Sequence, residues 1–200
     1  MMTDQKPIIV LASGSKSRYQ LLKRLKLEFI TNASDIDETA YHGEQAAELV
    51  KRLSCAKARV VANGYQNALI IGSDQCGEID GHIIGKPGNS EQACKQLMMC
   101  SGKEVIFHTG LCLLNTENQH CIYESVLTHI HYRAFSTSQI EAYVRIEQPF
   151  DCCGSHRSEG LGITLCERME STDPSAMLGL PLITLSQMLE QNGVPLLAES

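Results

Sequence analysis

Residues 68–85 read Ala-Leu-Ile-Ile-Gly-Ser-Asp-Gln-Cys-Gly-Glu-Ile-Asp-Gly-His-Ile-Ile-Gly. Ala68 to Gly72 is a short apolar run, the pattern of a buried strand. Asp74 follows at its C-terminal edge, where α/β sheets usually place ligands. The stretches CGEI and HIIG then flank Asp80-Gly81, a pair suited to the two left-handed positions of a type I′ hairpin turn. Lys86 therefore emerges just beyond a hairpin. Helices are expected on both sides of this block. Upstream, Leu49, Leu53, Ala56 and Val60 mark one face of a helix over 44–62 that Asn63-Gly64 ends. Downstream, Asn89 and Gln92 form a capping-box pattern before a helix carrying Ala93 and Leu97, with Gly102 as its stop. A hairpin between helices favours a mixed sheet over a purely parallel one.

Working outward, Pro7 to Ala12 (PIIVLA) is a strand-length apolar run halted by Ser13, Gly14 and Ser15. A helix with Leu21, Leu22 and Leu25 on one face should follow. Further strands are expected at Val105 to Leu114, Tyr123 to Tyr132 and Gly162 to Cys166, and a helix capped by Ser136 and Gln139 should carry Ile140 and Tyr143. With no repeat or linker to divide it, the chain is expected to be a single domain over 1–200.

The 200 residues are 43% hydrophobic, enough for one substantial core. A net charge of −6 argues against nucleic-acid polymers and anionic membranes, whose phosphates demand a basic excess. The longest apolar runs fall short of a bilayer's width. The opening MMTDQKP shows no secretory pattern, so the cytoplasm is the expected location. The nine cysteines include no C-x-x-C pair, which speaks against a zinc site built on close spacing and for free thiols that pack as small hydrophobes.

Five segments could carry chemistry, and each has an ordinary structural reading too. LASGSKSR (11–18) places Ser13, Ser15, Ser17, Lys16 and Arg18 where a strand turns into a helix, a setting that suits an anion but also a simple serine cap. Asp35, Asp37 and Glu38 offer hard oxygen ligands for Mg²⁺ or Mn²⁺, or form an exposed acidic loop. Gly72-Ser73-Asp74-Gln75 is a ligand-side carboxylate or an aspartate turn. Gly85-Lys86-Pro87 and the stretch 153–160 set cations beside glycines, as close approach to phosphate requires and as solvated turns also do. His129 and His131 share a predicted strand face, but with no third ligand nearby in sequence they read as a packed or solvated pair. Cys152-Cys153 reads as two buried thiols beside a loop rather than a redox switch.

Taken in order, S-x-S-x-x-R, D-E-T, R-L-x-x-x-K-A, G-S-D-Q, G-K-P, S-G-x-x-x-x-F-x-T-G-L, C-x-G-S-x-x-S-E-G-x-G-I-x-L and D-P-x-x-x-x-G-L-P-L span Ser13 to Leu182. This ordered set resembles the Maf family. The resemblance implies an ITPase-like α/β fold, a mixed twisted sheet with helices on both sides and two lobes around a deep cleft. It also implies cleavage of a nucleoside triphosphate to monophosphate and diphosphate, a divalent metal (Mg²⁺ or Mn²⁺, with Co²⁺ a further choice), and a homodimer.

By the same resemblance Asp74 is the proton acceptor, and Glu38 and Asp74 hold the metal. Lys86 and Glu38 complete the catalytic set, and Ser13, Ser15, Arg18 and Lys57 handle phosphate; Arg52 matches its motif without a defined role. The branch of the family acting on dTTP and UTP has Ala-Asp-Thr at positions 73–75 and Gln at 159. Ser73-Asp74-Gln75 and Glu159 instead resemble the branch that hydrolyses 7-methyl-GTP. A carboxylate at 159 suits guanine, whose N1–H and 2-amino group form an adjacent donor pair. Ser17, Lys16, Cys153 and His156-Arg157 depart from the pattern, and Ser17 bears most directly on base choice. The competing readings are the pyrimidine branch and a nucleotide-sensing inhibitor of septum formation.

Overall fold

The computed structural model describes residues 6–197, so the opening MMTDQ lies outside the described residues. Strands β1 (Ile8–Leu11), β2 (Ile30–Thr31), β3 (Ala68–Ile79), β4 (His82–Ile84), β5 (Glu104–Asn115), β6 (Cys121–Tyr132) and β7 (Cys166–Ser171) form one seven-stranded mixed sheet in the order β2-β1-β3-β5-β6-β7, with β4 on β3. The helices are α1 (Lys16–Lys23), α2 (Ala46–Ala62), α3 (Ser90–Cys100), α4 (Thr137–Glu147) and α5 (Leu182–Gln191). No helix among the described residues is long and apolar enough to cross a membrane.

The central strand is longer than its apolar run suggests. β3 does not stop at Gly72 but continues to Ile79, because β5 pairs with it along its length, from Leu69↔Asn115 to Glu78↔Ile106. Its other edge is divided. β1 runs parallel to its first half as far as Leu11↔Ile71, and β4 takes up the edge only at Gly77↔Ile84. The residues between, Gly72 to Cys76, have no strand on that side, and this gap is the floor of the cleft. The hairpin turn into β4 forms as expected, with positive φ at both Asp80 (49°) and Gly81 (78°).

Side-chain alternation assigns the helices. Odd residues of β3 and β5 (Leu69, Ile71, Leu111, Leu113) pack with Leu21, Leu22, Leu185 and Leu189 of α1 and α5. Farther along the same face, Ile79, Val105 and Phe107 pack with Leu97 of α3 and Ile140 of α4, which gives the second lobe its own core. Even residues (Ile70, Cys112, Leu114) face Cys55, Ala58 and Val61 of α2.

Helix α2 lies unusually near the sheet because two glycines face it. A Cβ on Gly72 would stand 2.1 Å from the Ser54 carbonyl oxygen, and one on Gly110 would stand 2.7 Å from that of Val50. Gly72 pairs with Cys112 and Gly110 with Asp74, so the two glycines lie diagonally across β3 and β5 on one face. Their missing side chains make the groove into which α2 settles.

Caps explain most helix starts. Ser15 Oγ accepts from Arg18 N at 3.3 Å, Asn89 Oδ1 from Gln92 N at 3.0 Å, and Ser136 forms a full capping box with Gln139. The expected strand over 162–166 is a correction: a 3₁₀ turn, Leu161–Leu165, stands there, and β7 begins at Cys166. The backbone folds back so that Gly160 N and Gly162 N both donate to Arg157 O, and a Cβ at Gly162 would lie 2.4 Å from that oxygen. Helix α5 was not anticipated. Asp173 starts it: buried Oδ2 accepts from Ile183 N at 2.7 Å, and Oδ1 accepts from Ser175 Oγ at 2.6 Å. The aspartate of the D-P motif is thus a structural cap.

Candidate active site

A cleft of about 770 Å³ opens over the unpaired stretch of β3. Ala12 to Arg18 form one wall, Gly85 and Lys86 with Asp151 to Cys153, His156, Arg157 and Glu159 form the opposite one, and Glu38, Lys57, Asp74 and Gln75 lie between. Ser13, Ser15, Ser17, Arg18, Glu38, Lys57, Asp74, Gln75, Lys86 and Glu159, the residues to which the family resemblance gives a role in catalysis, phosphate handling or base choice, all line this cleft. The fold brings them together because β1 ends where β4 has not yet begun.

Asp74 and Gln75 are adjacent in β3 and so point to opposite faces. Asp74 turns toward α2, where Lys57 Nζ is 2.6 Å from Asp74 Oδ1 and 2.6 Å from Glu38 Oε1. Both Lys57 and Asp74 are buried, while half of the Glu38 side chain is exposed. Burial alone would raise the pKa of Glu38, but its hydrogen bond to Lys57, with the charges of Lys57, Lys86 and Arg18, holds it below its usual value. Gln75 turns the other way. Its Nε2 lies within 3.0 Å of Thr109 Oγ1, 2.9 Å of Ala176 O and 3.2 Å of Met177 O, and so ties the segment 176–178 to the sheet.

Arg18 is anchored rather than free, with Nε donating to Gly179 O at 2.7 Å and Nη1 to Ser13 Oγ at 3.4 Å. Burial draws its pKa down and the charges of Asp74 and Glu38 draw it up; a guanidinium remains cationic. Ser13 Oγ also accepts from Ser15 N at 3.1 Å, closing the serine turn on itself. Ser17 Oγ donates to Glu159 Oε1 at 3.3 Å across the cleft. Lys86 is exposed at the rim.

The donor set fits a divalent cation. Two carboxylates converge on one ammonium, which leaves a net negative charge, and Mg²⁺ typically takes one or two protein carboxylates together with substrate phosphates. Asp35 and Asp37 do not join them. Asp37 Oδ1 accepts from Thr39 N at 2.9 Å, and neither lines the cleft.

Other sequence candidates lie elsewhere or play structural parts. Arg52 clasps Glu44 through Nε (2.6 Å) and Nη2 (2.7 Å), bonds Thr39 O and stacks on Tyr41 at 3.9 Å. It steadies the loop that follows Glu38 and faces a second, shallower groove. His129 and His131 share Glu104, at 2.7 and 3.7 Å, on the exposed sheet face. Burial pushes Cys152 up to about 12, and buried Cys153 higher, so both stay protonated.

Two parts of the cleft wall have contacts that their sequence motifs do not signal. The turn Met177–Gly179 lines the cleft and receives both Gln75 and Arg18, although no residue in it bears a charge to mark it. His156 is buried in the wall, its Nδ1 2.9 Å from the Tyr132 hydroxyl, and burial lowers its pKa to about 4.

Comparison with known proteins adds the family context. The model of the family described as Maf-like protein matches residues 8–192. A 7-methyl-GTP pyrophosphatase of Alcanivorax borkumensis is 48% identical over 98% of this chain and 99% of that protein. One of Thiobacillus denitrificans is 46% identical over 98% of each chain. A solved nucleoside-triphosphatase / dITP/XTP pyrophosphatase of Mycobacterium abscessus overlays with a TM-score of 0.39 at 12% identity, covering 62% of this chain and 73% of that one.

Proposed function

The chain belongs to the Maf family, and from that footing we propose that it converts 7-methyl-GTP and water into 7-methyl-GMP and diphosphate. The observation that carries this reading is the Glu38–Lys57–Asp74 cluster at the floor of a cleft that the serine turn, Arg18, Lys86 and Glu159 also line.

In this reading Asp74 accepts the proton of a water that attacks the α-phosphorus, the bond to the bridging α,β oxygen breaks, and diphosphate leaves. Lys57 keeps Asp74 oriented through its 2.6 Å contact. Lys86, Arg18 and the hydroxyls of Ser13 and Ser15 answer the charge that builds on the phosphate oxygens. Glu38 and Asp74 would hold Mg²⁺ or Mn²⁺. When bound, the cation neutralises phosphate charge and makes water a better acid.

Base choice falls to Glu159, Gln75 and Ser17. Glu159 accepts hydrogen bonds from the N1–H and 2-amino group, and its negative charge favours the cationic ring that N7 methylation creates. The Ser17 hydroxyl orients that carboxylate. Gln75 acts from below by fixing the wall at Ala176 and Met177. By the same family likeness, the working form is a homodimer, and the cytoplasm is its proposed location.

The test is a substrate panel. Purified protein with Mg²⁺ or Mn²⁺ should release diphosphate from 7-methyl-GTP faster than from GTP, dTTP or UTP, and equal rates on all four would overturn the base assignment.

A further inference from the structure

Three cysteines far apart in sequence meet behind the active site. Cys55 on the inner face of α2, Cys112 in β5 and Cys121 at the start of β6 place their sulfurs within 4.8 Å of one another. Cys112 Sγ and Cys121 Sγ are 2.8 Å apart. Cys55 and Cys112 are buried, and Cys121 is partly open to solvent. The surroundings are Ala58, Val61, Ile70 and Leu114, an apolar shell. Cys55 also borders the outer groove of about 590 Å³ that holds Arg59 and Lys51, so the cluster has a route to solvent.

We propose that Cys55, Cys112 and Cys121 form a binding site for a thiophilic cation of the Zn²⁺ class, separate from the oxygen-ligand site in the cleft. Around one tetrahedral ion at Zn–S distances of about 2.3 Å, thiolates stand about 3.8 Å apart; the three sulfurs already lie within 4.8 Å of one another, and the Cys112–Cys121 pair at 2.8 Å has to open by about 1 Å as the ion enters. A water entering beside half-open Cys121 completes four-coordination. Each thiol that becomes a ligand gives its proton to solvent, so uptake releases up to three protons per ion. The resulting complex carries one negative charge, and Arg59, whose charge already favours the thiolate of Cys55, lies beside it. Hydrogen bonds from Cys112 and Cys121 act in the same direction on Cys55, while the bond to Cys55 and burial raise Cys112 and burial raises Cys121, so the ion itself has to displace those two protons. Occupancy would pin α2 to β5 two residues before Lys57.

The experiment is a titration of the fully reduced protein with Co²⁺ in excess Mg²⁺, which fills oxygen-ligand sites, followed by Zn²⁺ displacement. The expected result is one equivalent of Co²⁺ with a sulfur-to-cobalt charge-transfer band, proton release, and a rise in Tm on adding Zn²⁺. Cys121→Ser, chosen because Cys121 is only partly buried, should weaken the band, which then rests on two thiolates, and lower affinity at least about 10-fold. Cys94→Ser, a half-buried cysteine on α3, should change neither. The proposal is overturned if the reduced wild type shows no such band, if Cys121→Ser keeps it undiminished, or if Cys94→Ser weakens it equally. It is also overturned if the cluster only closes a disulfide under oxidant and the reduced form takes up no metal.

Discussion

Lys57 Nζ stands 2.6 Å from Asp74 Oδ1, and both side chains are buried. An ion pair in such a place is stable only when each charge has its partner, since stripping one partner from a buried pair costs about 3–5 kcal/mol. The pair therefore ties the chemistry of the cleft to the seating of α2.

Asp74→Ala removes the proposed proton acceptor. Diphosphate release from 7-methyl-GTP should fall by about 10²–10⁴-fold or more, the span attributed to a positioned base. Nucleotide binding measured calorimetrically should persist, because the serine turn and Lys86 remain. Chelation by EDTA should also stop turnover, and added Mg²⁺ should restore it; full activity in EDTA would contradict the metal assignment.

Glu159→Gln exchanges an acceptor-only carboxylate for an amide that presents a donor to guanine's own donors. Loss of a charged hydrogen bond predicts a fall of about 1.5–3 kcal/mol in binding, hence roughly 10–150-fold in kcat/KM for 7-methyl-GTP. Adding Gln75→Thr should move the preference toward dTTP or UTP. The double variant should also lose stability, because Ala176 O and Met177 O lose a donor. Steady-state rates on the four nucleotides and a thermal melt read both effects.

Gly72→Ala tests the seating of α2. Its Cβ would stand 2.1 Å from Ser54 O, a backbone atom that cannot swing aside. Overpacking of this kind costs about 1–3 kcal/mol and sometimes more. Any folded fraction should be slow as well, because moving α2 carries Lys57 off Asp74. Urea melts and rates corrected for the folded fraction distinguish the two losses; a variant with wild-type stability and rate would sink the close-packing account.

His156 makes stability depend on pH. Burial lowers its pKa to about 4 in the fold, against about 6.5 in the unfolded chain. As pH falls, the unfolded chain binds the proton first. The stability due to neutral His156 is therefore complete above about pH 6.5 and is lost as pH drops through that value to 4, about 3 kcal/mol in all. His156→Phe should flatten this part of the stability profile. It should also cost about 1–3 kcal/mol at pH 8, where the Tyr132 hydroxyl loses its partner. Denaturant midpoints from pH 4 to 8 check both.

Much of this was legible in the sequence, because local signals are made by neighbours. Asp80-Gly81 announced the hairpin through its tolerance of positive φ, Ser136 and Gln139 announced α4, and the ordered polar motifs named the cleft residues before any were seen together. Three features had no local signal. The extension of β3 past Gly72 needed β5 as a partner, the 3₁₀ turn over 161–165 needed Arg157 O as an acceptor, and α5 needed Asp173 ten residues upstream of its first bonded N–H.

By itself, then, the sequence determined the alternation of strands and helices, the family, and which residue types enter the cleft, since those follow from periodicity, turn chemistry and motif order. Only the tertiary structure decided what those residues do to one another. It turned Glu38 inward and left Asp35 and Asp37 outside, it sent Asp74 to α2 and Gln75 to the opposite face, and it assigned Arg52 to a loop. It also gathered Cys55, Cys112 and Cys121, which no spacing rule connects. The physical reason is common to all of these: a contact between side chains far apart in the chain is fixed by sheet register and helix seating, and neither is written in any short stretch of residues.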